Sequence, residues 1–190
     1  MDKNSKFLDI IKLPSDVLQL LQEYAETVTV KQQSLLGDVN TYIDSNKITN
    51  TNLTNAAIWI SLLNESQENE ERKPFREIAI TLSRFIPLIA ETTKTVSDQT
   101  QLLSGIQMFC TSAPVRILPI LRQIVRCLYD FEILSEEAIL NWYESEMKKQ
   151  KINNQDNESA VDDVNANILR ELKPFIRWLE SPDENEDEDE

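Results

Sequence analysis

Glycine occurs at only two places in the chain, Gly37 and Gly105. Tight β-turns rely on glycine for backbone conformations with positive φ, so a fold assembled from many hairpins does not fit this sequence. The apolar spacing is helical almost everywhere instead. In PSDVLQLLQEYAETV, Ser15 follows a proline and caps a face of Val17, Leu20, Leu21 and Tyr24. LLGDVNTYID and NLTNAAIWISLL read as two shorter helices, and KPFREIAITLSRFIPLIAETT repeats apolar residues at Ile78, Leu82, Phe85, Ile86 and Ile89. Ser97 is the expected cap of DQTQLLSGIQMFC, and Pro114 opens VRILPILRQIVRCLYD, where Ile117, Leu121, Ile124 and Leu128 share one face. Ser135 is the expected cap of EEAILNWYESEMKK, whose first turn carries Glu136 and Glu137, where the helix dipole favours them.

The last helix has the clearest stripe: Ile168, Leu169, Leu172, Phe175, Ile176 and Leu179, with Trp178 on its flank beside Glu171 and Pro174. Ile139, Tyr143, Leu172, Phe175 and Leu179 join the Ile117–Leu128 face as expected core. Pro87, Pro119 and Pro174 fall inside helices and should bend them. Short, bent helices on short loops suit an all-α, HEAT-like stack of antiparallel helix pairs. The expected organisation is a lead over 1–14, one helical domain over 15–181 and a disordered acidic tail over 182–190. NESQENEERK and QKINNQDNESAVDD read as polar loops.

Composition narrows the functional classes. The chain of 190 residues has 33 acidic and 19 basic side chains, a formal net charge of −14. An acidic chain repels phosphate backbones, so nucleic-acid binding is not expected, and most of the acid lies at one end, favouring basic partners. The absence of histidine removes the usual general base and the commonest metal ligand. No apolar stretch reads as a signal peptide or a membrane span, so a cytoplasmic protein without membrane contact is expected. Cys110 and Cys127 sit in apolar segments and read as small buried hydrophobes in a reducing compartment.

No catalytic constellation emerges: there is no glycine-rich phosphate loop, no metal-ligand cluster and no nucleophile–histidine pair, and no cofactor is expected. Glu136 and Glu137 are adjacent and do not face each other across a helix, so they make a poor acid–base pair. Glu144 and Lys148 have the spacing of a surface ion pair, and Arg122 and Arg126 read as a solvated helix face. Two segments remain, LYDFEILSEEAILNWYESE and LKPFIRWLESPDENEDEDE. Each combines an apolar stripe, a tryptophan and nearby acid. Together they suggest a surface that clamps a lysine-rich segment, with carboxylates supplying attraction and aromatic faces holding lysine stems. The candidate partner-binding residues are Asp130, Glu132, Glu136, Glu137, Trp142, Tyr143, Glu144, Trp178, Glu180, Asp183, Glu184 and Glu186.

YDFEILSEEAILNWYE, followed by PFIRWLE and an acidic end, resembles the W2 domain, the module with two aromatic-and-acidic boxes found in certain translation initiation factors. Weaker similarity runs back through SDQTQLLSGIQMFCTS and LLGDVNTYIDSNKIT. Within the family, EILSEEAILNWY looks most like the epsilon subunit of initiation factor 2B, with the factor-5-mimic protein second. The resemblance implies a domain that binds the lysine-rich tail of the beta subunit of initiation factor 2. In the epsilon subunit it also engages the gamma subunit and promotes GDP release, beside other initiation factor 2B subunits. The alternative is an adaptor or competitor that binds without exchange. The family's exchange activity depends on the tryptophan that matches Trp178 and on a glutamate at an earlier helix start. That position matches Asn52, which cannot carry the charge.

Overall fold

The computed structural model describes residues 15–26, 41, 48–64, 74–112, 114–153 and 160–181. Among the described residues every regular element is helical, and the fold is all-α and HEAT-like. The chain divides into two compact units, Met1–Asp98 and Gln99–Glu190. The segment LLGDVNTYID, apart from Thr41, and the tail from Pro182 onward, with Asp183, Glu184 and Glu186, lie outside the described residues.

The first unit contains α1 (Ser15–Glu26), α2 (Asn50–Asn64) and α3 (Pro74–Thr92), with α2 packed on α3 and α1 against both. Leu53, Ala56, Ala57 and Ile60 give α2 its helical stripe, and Thr54, Asn55 and Ile58 are buried as well, so α2 is enclosed nearly all round. Phe85, Leu82 and Ile89 form the facing stripe of α3. Tyr24 of α1 rests against Phe85, ring centroids 5.5 Å apart, and its hydroxyl donates to the Arg84 carbonyl at 3.2 Å. The Arg84 guanidinium in turn donates to the Ala25 carbonyl, satisfying an acceptor in the last turn of α1.

Helix α4 (Val96–Ser112) starts in the first unit and continues into the second. Its cap is Thr95, not the expected Ser97, which lies inside the helix. The Asp98 N–H donates to Thr95 Oγ1 at 3.2 Å, and Asp98 Oδ2 accepts from the Thr95 N–H at 2.9 Å. That reciprocal pair is a capping box, and it satisfies two donors that a helix start otherwise leaves open.

The second unit goes on with α5 (Pro114–Ile117), a 3₁₀ turn over Leu118–Ile120, α6 (Leu121–Asp130), α7 (Glu136–Asn153) and α8 (Ala160–Glu180). Pro119 interrupts the single helix expected here, because it lacks the N–H that an α-helical bond would need. Pro87 and Pro174 are instead carried inside continuous helices. Of the expected core, Ile117, Leu121, Ile124, Leu128, Ile139, Leu172, Phe175 and Leu179 are buried, while Tyr143 is half-buried. Helix α7 runs to Asn153, four residues into the stretch expected to be loop.

Helices α7 and α8 are antiparallel, as two tethers show. The Tyr143 hydroxyl donates to the Leu169 carbonyl at 3.2 Å. One turn further along α7, Glu146 shares the Gln107 side-chain amide with Asn165, one turn earlier in α8, at 2.9 and 3.1 Å. This register carries the start of α7 toward the end of α8. Among the described residues no helix is long and apolar enough to cross a membrane.

Candidate functional site

The turn between α6 and α7 holds four of the six predicted acidic residues that lie among the described residues. Helix α6 ends in a Schellman motif: the Ile133 N–H donates to the Leu128 carbonyl at 2.9 Å, and the Glu132 N–H to the Tyr129 carbonyl at 2.9 Å. Ile133 and Leu128 are both buried, which supplies the apolar contact that locks the motif. The motif needs a left-handed residue where glycine is usual, and here Glu132 takes that place at φ 60°. The chain then enters α7 through Ser135, whose Oγ accepts from the Ala138 N–H at 3.3 Å and donates to Gln99 Oε1 at 2.6 Å. Gln99 also accepts the Ser135 N–H at 2.9 Å, so α4 anchors the start of α7. A rigid, tightly turned segment thus holds Asp130, Glu132, Glu136 and Glu137, all exposed.

Trp178 stands beside this turn. It is half-buried, stacked on Phe175 with ring centroids 5.7 Å apart, and met edge-on by Tyr129 at 6.0 Å. Tyr129 closes the trio edge-on to Phe175 at 5.8 Å. Over the indole lies the chain's own Arg126, its guanidinium carbon 5.5 Å from the ring centroid. Arg126 Nε is 3.8 Å from Asp130 Oδ2 one turn on. The ring expected to hold a partner's lysine therefore carries an internal cation. Sequence reasoning assigned Arg126 to a solvated face; its spacing to Asp130 was visible, but the ring it covers is on another helix.

Trp142 requires a correction. It is 3 % exposed and offers no surface to a partner. Its position between Ala138 and Ile139 around α7 puts it in the middle of the buried stripe. Its indole N–H is also buried and finds no acceptor among the described residues. Tyr143 is half-buried with its hydroxyl on Leu169, and burial, with Glu180 nearby, raises its pKa above the usual phenol value. Glu180 is exposed at the end of α8. Glu144 lies two turns into α7 and pairs with Lys148 at 3.4 Å, as its spacing implied.

Asn52 is in the first unit and has a structural task. Its Oδ1 accepts from the Thr49 N–H at 3.0 Å and from the Thr49 hydroxyl at 2.7 Å, and its own N–H donates to Thr49 Oγ1 at 3.3 Å. This is the capping box of α2, with a neutral amide where glutamate is common. Both thiols are poor nucleophiles: burial pushes Cys110 up to about 12, and burial with the Asp130 charge pushes Cys127 up to about 11. Among the described residues no group of three or more His, Cys, Asp or Glu could hold a metal ion.

Residues 98–189, just under half of the chain, match the family model W2, eIF4-gamma/eIF5/eIF2-epsilon. The eIF5-mimic protein 2-B of Danio rerio is 27% identical over 135 residues, covering 70% of this chain and 29% of the relative. Protein krasavietz of Drosophila melanogaster is 26% identical over 174 residues, covering 84% of this chain and 38% of its own length. The eIF5-mimic protein 2 of Gallus gallus is 29% identical over 131 residues, covering 68% of this chain and 28% of the relative. The chain thus spans about a third of the length of the curated relatives it matches. These names point toward the factor-5 mimic, the second member weighed from sequence, in place of the epsilon subunit. The family match begins at residue 98 and leaves out Asn52.

Proposed function

We propose that this chain is a translation initiation adaptor of the factor-5-mimic kind. It binds the lysine-rich beta-subunit tail of initiation factor 2 in the cytoplasm and competes with other factors without promoting GDP release. The observation that supports this is the rigid acidic turn, Asp130 to Glu137, next to Trp178. Exposed carboxylates held on a fixed backbone attract and orient a flexible cationic segment while losing little entropy of their own. The acid run that follows Ser181 in sequence, including Asp183, Glu184 and Glu186, adds long-range attraction. The names of the relatives agree with this reading. Against exchange stands Asn52: the carboxylate that the resemblance requires is replaced by an amide already engaged in a helix cap.

The test loads initiation factor 2 with labelled GDP and adds the chain while binding of the beta-subunit tail is followed by fluorescence anisotropy. Binding that weakens steeply with salt, and GDP release at its spontaneous rate, is the expected result. Deleting Asp183–Glu190 should slow association at low salt more than it speeds dissociation. Accelerated GDP release would return the chain to the exchange reading and to contact with the gamma subunit and initiation factor 2B. No binding at low salt would reject the initiation-factor assignment.

A further inference from the structure

We infer that Arg126 is a built-in competitor for the Trp178 face, and that a basic segment gains the site by displacing it; this rests on the reading of the acidic turn given under Proposed function. The geometry is that of a cation site already filled from within. The guanidinium carbon lies 5.5 Å from the indole centroid, and the Nε lies 3.8 Å from the Asp130 carboxylate. An indole face and a carboxylate edge are the two groups that would hold an incoming ammonium or guanidinium.

The internal cation is lightly held. The side chains of Arg126 and Asp130 are 62% and 58% exposed, and an exposed pair at this separation contributes little to folding. Arg126 can therefore swing into solvent without disturbing α6, whose packing rests on Leu121, Ile124, Val125 and Leu128. When it swings, the indole face and the Asp130 carboxylate are freed together. A single incoming cation then only replaces one charge by another on the same two groups, with almost no net gain. A segment with several cations gains more, because its other charges reach Glu132, Glu136 and Glu137, which Arg126 does not touch. The internal arginine thus selects for clustered positive charge.

Simple charge removal would also favour a basic ligand, so the control is Arg122. It lies one turn before Arg126 on the same exposed face, and among the described residues Arg126 is the cation found over the ring. The experiment measures affinity for an oligolysine peptide and for a peptide with a single lysine, using Arg126→Gln, Arg122→Gln, Trp178→Ala and the double variant Arg126→Gln/Trp178→Ala. Arg126→Gln should bind the single-lysine peptide about two- to fivefold more tightly than Arg122→Gln does. It should lose discrimination between the two peptides, and its advantage should vanish in the Trp178→Ala background.

A partner-free readout accompanies these: acrylamide quenching of tryptophan emission, with Trp178→Ala giving the background from the other tryptophans. Quenching of Trp178 should rise in Arg126→Gln and stay unchanged in Arg122→Gln. Equal affinities for the two glutamine variants, or unchanged quenching, would overturn the competitor role while leaving the binding surface intact. Failure of every variant to bind oligolysine at low salt would overturn the binding surface, and the competitor role with it.

Discussion

Trp142 and Trp178 look alike in sequence: each follows an apolar helical stripe and is trailed by acid. In the structure they differ in kind. Trp142 is at the centre of its stripe and enclosed. Trp178 is on the flank of its stripe, stacked on Phe175, braced by Tyr129 and covered by Arg126. The difference comes from helical phase and not from composition. A position near the middle of a buried stripe is committed to packing, whatever charges follow it. A position at the edge keeps one ring surface for another cation.

The strongest way to break this contrast is to truncate both rings. Trp142→Ala should cost about 3–5 kcal/mol of stability, as loss of a fully buried large side chain does, measured by urea denaturation. A loss below about 1 kcal/mol would mean that the ring is not packed in solution. Trp178→Ala removes one stacked and one edge-on aromatic contact from a half-buried position and should cost about 1–2 kcal/mol. Its affinity for oligolysine should fall, while the Trp142 variant, measured in its folded fraction, should keep near-normal affinity. If the binding losses came in the opposite order, the assignment of the two rings would be reversed.

How much of this could be read from sequence follows from the same distinction between local and tertiary information. The stripe of Leu121, Ile124 and Leu128 and the cap at Ser135 were legible, because periodicity and capping are written in neighbouring residues. The cap at Thr95 was legible in principle: a threonine three residues before Asp98 spells a capping box, and Ser97 was the weaker candidate for lack of that reciprocal acid. The burial of Trp142 was also available from its phase with Ala138 and Ile139. The acid around Trp142 does not bear on its burial; its angle around the helix does. The cover over Trp178 was not legible, since it depends on how α6 meets α8, and no residue near Trp178 announces Arg126. Nor was the engagement of Gln99 with Ser135, which joins residues distant in sequence.

The smallest expected effect concerns the turn that leads from the Trp178 cluster to the helix of Trp142. Glu132 holds a left-handed backbone at φ 60°, where a side chain presses its Cβ against the following carbonyl. Glycine would relieve that strain at the expense of a more flexible unfolded chain. The two effects oppose each other, and Glu132→Gly should stabilise the protein by about 0.5–1 kcal/mol in denaturant titration. The Schellman bonds of Ile133 and the buried Leu128–Ile133 contact do not involve the Glu132 side chain, so the turn should persist. If the carboxylate steers a basic segment, the same variant should associate with oligolysine more slowly at low salt, and the difference should disappear at high salt. A more stable protein that binds more slowly would show that the turn carries a charge at the cost of backbone strain. A variant that gains stability and keeps its association rate would assign the acidic surface to Asp130, Glu136 and Glu137 alone. A variant that loses stability would mean that the left-handed residue is relaxed by contacts that glycine cannot make.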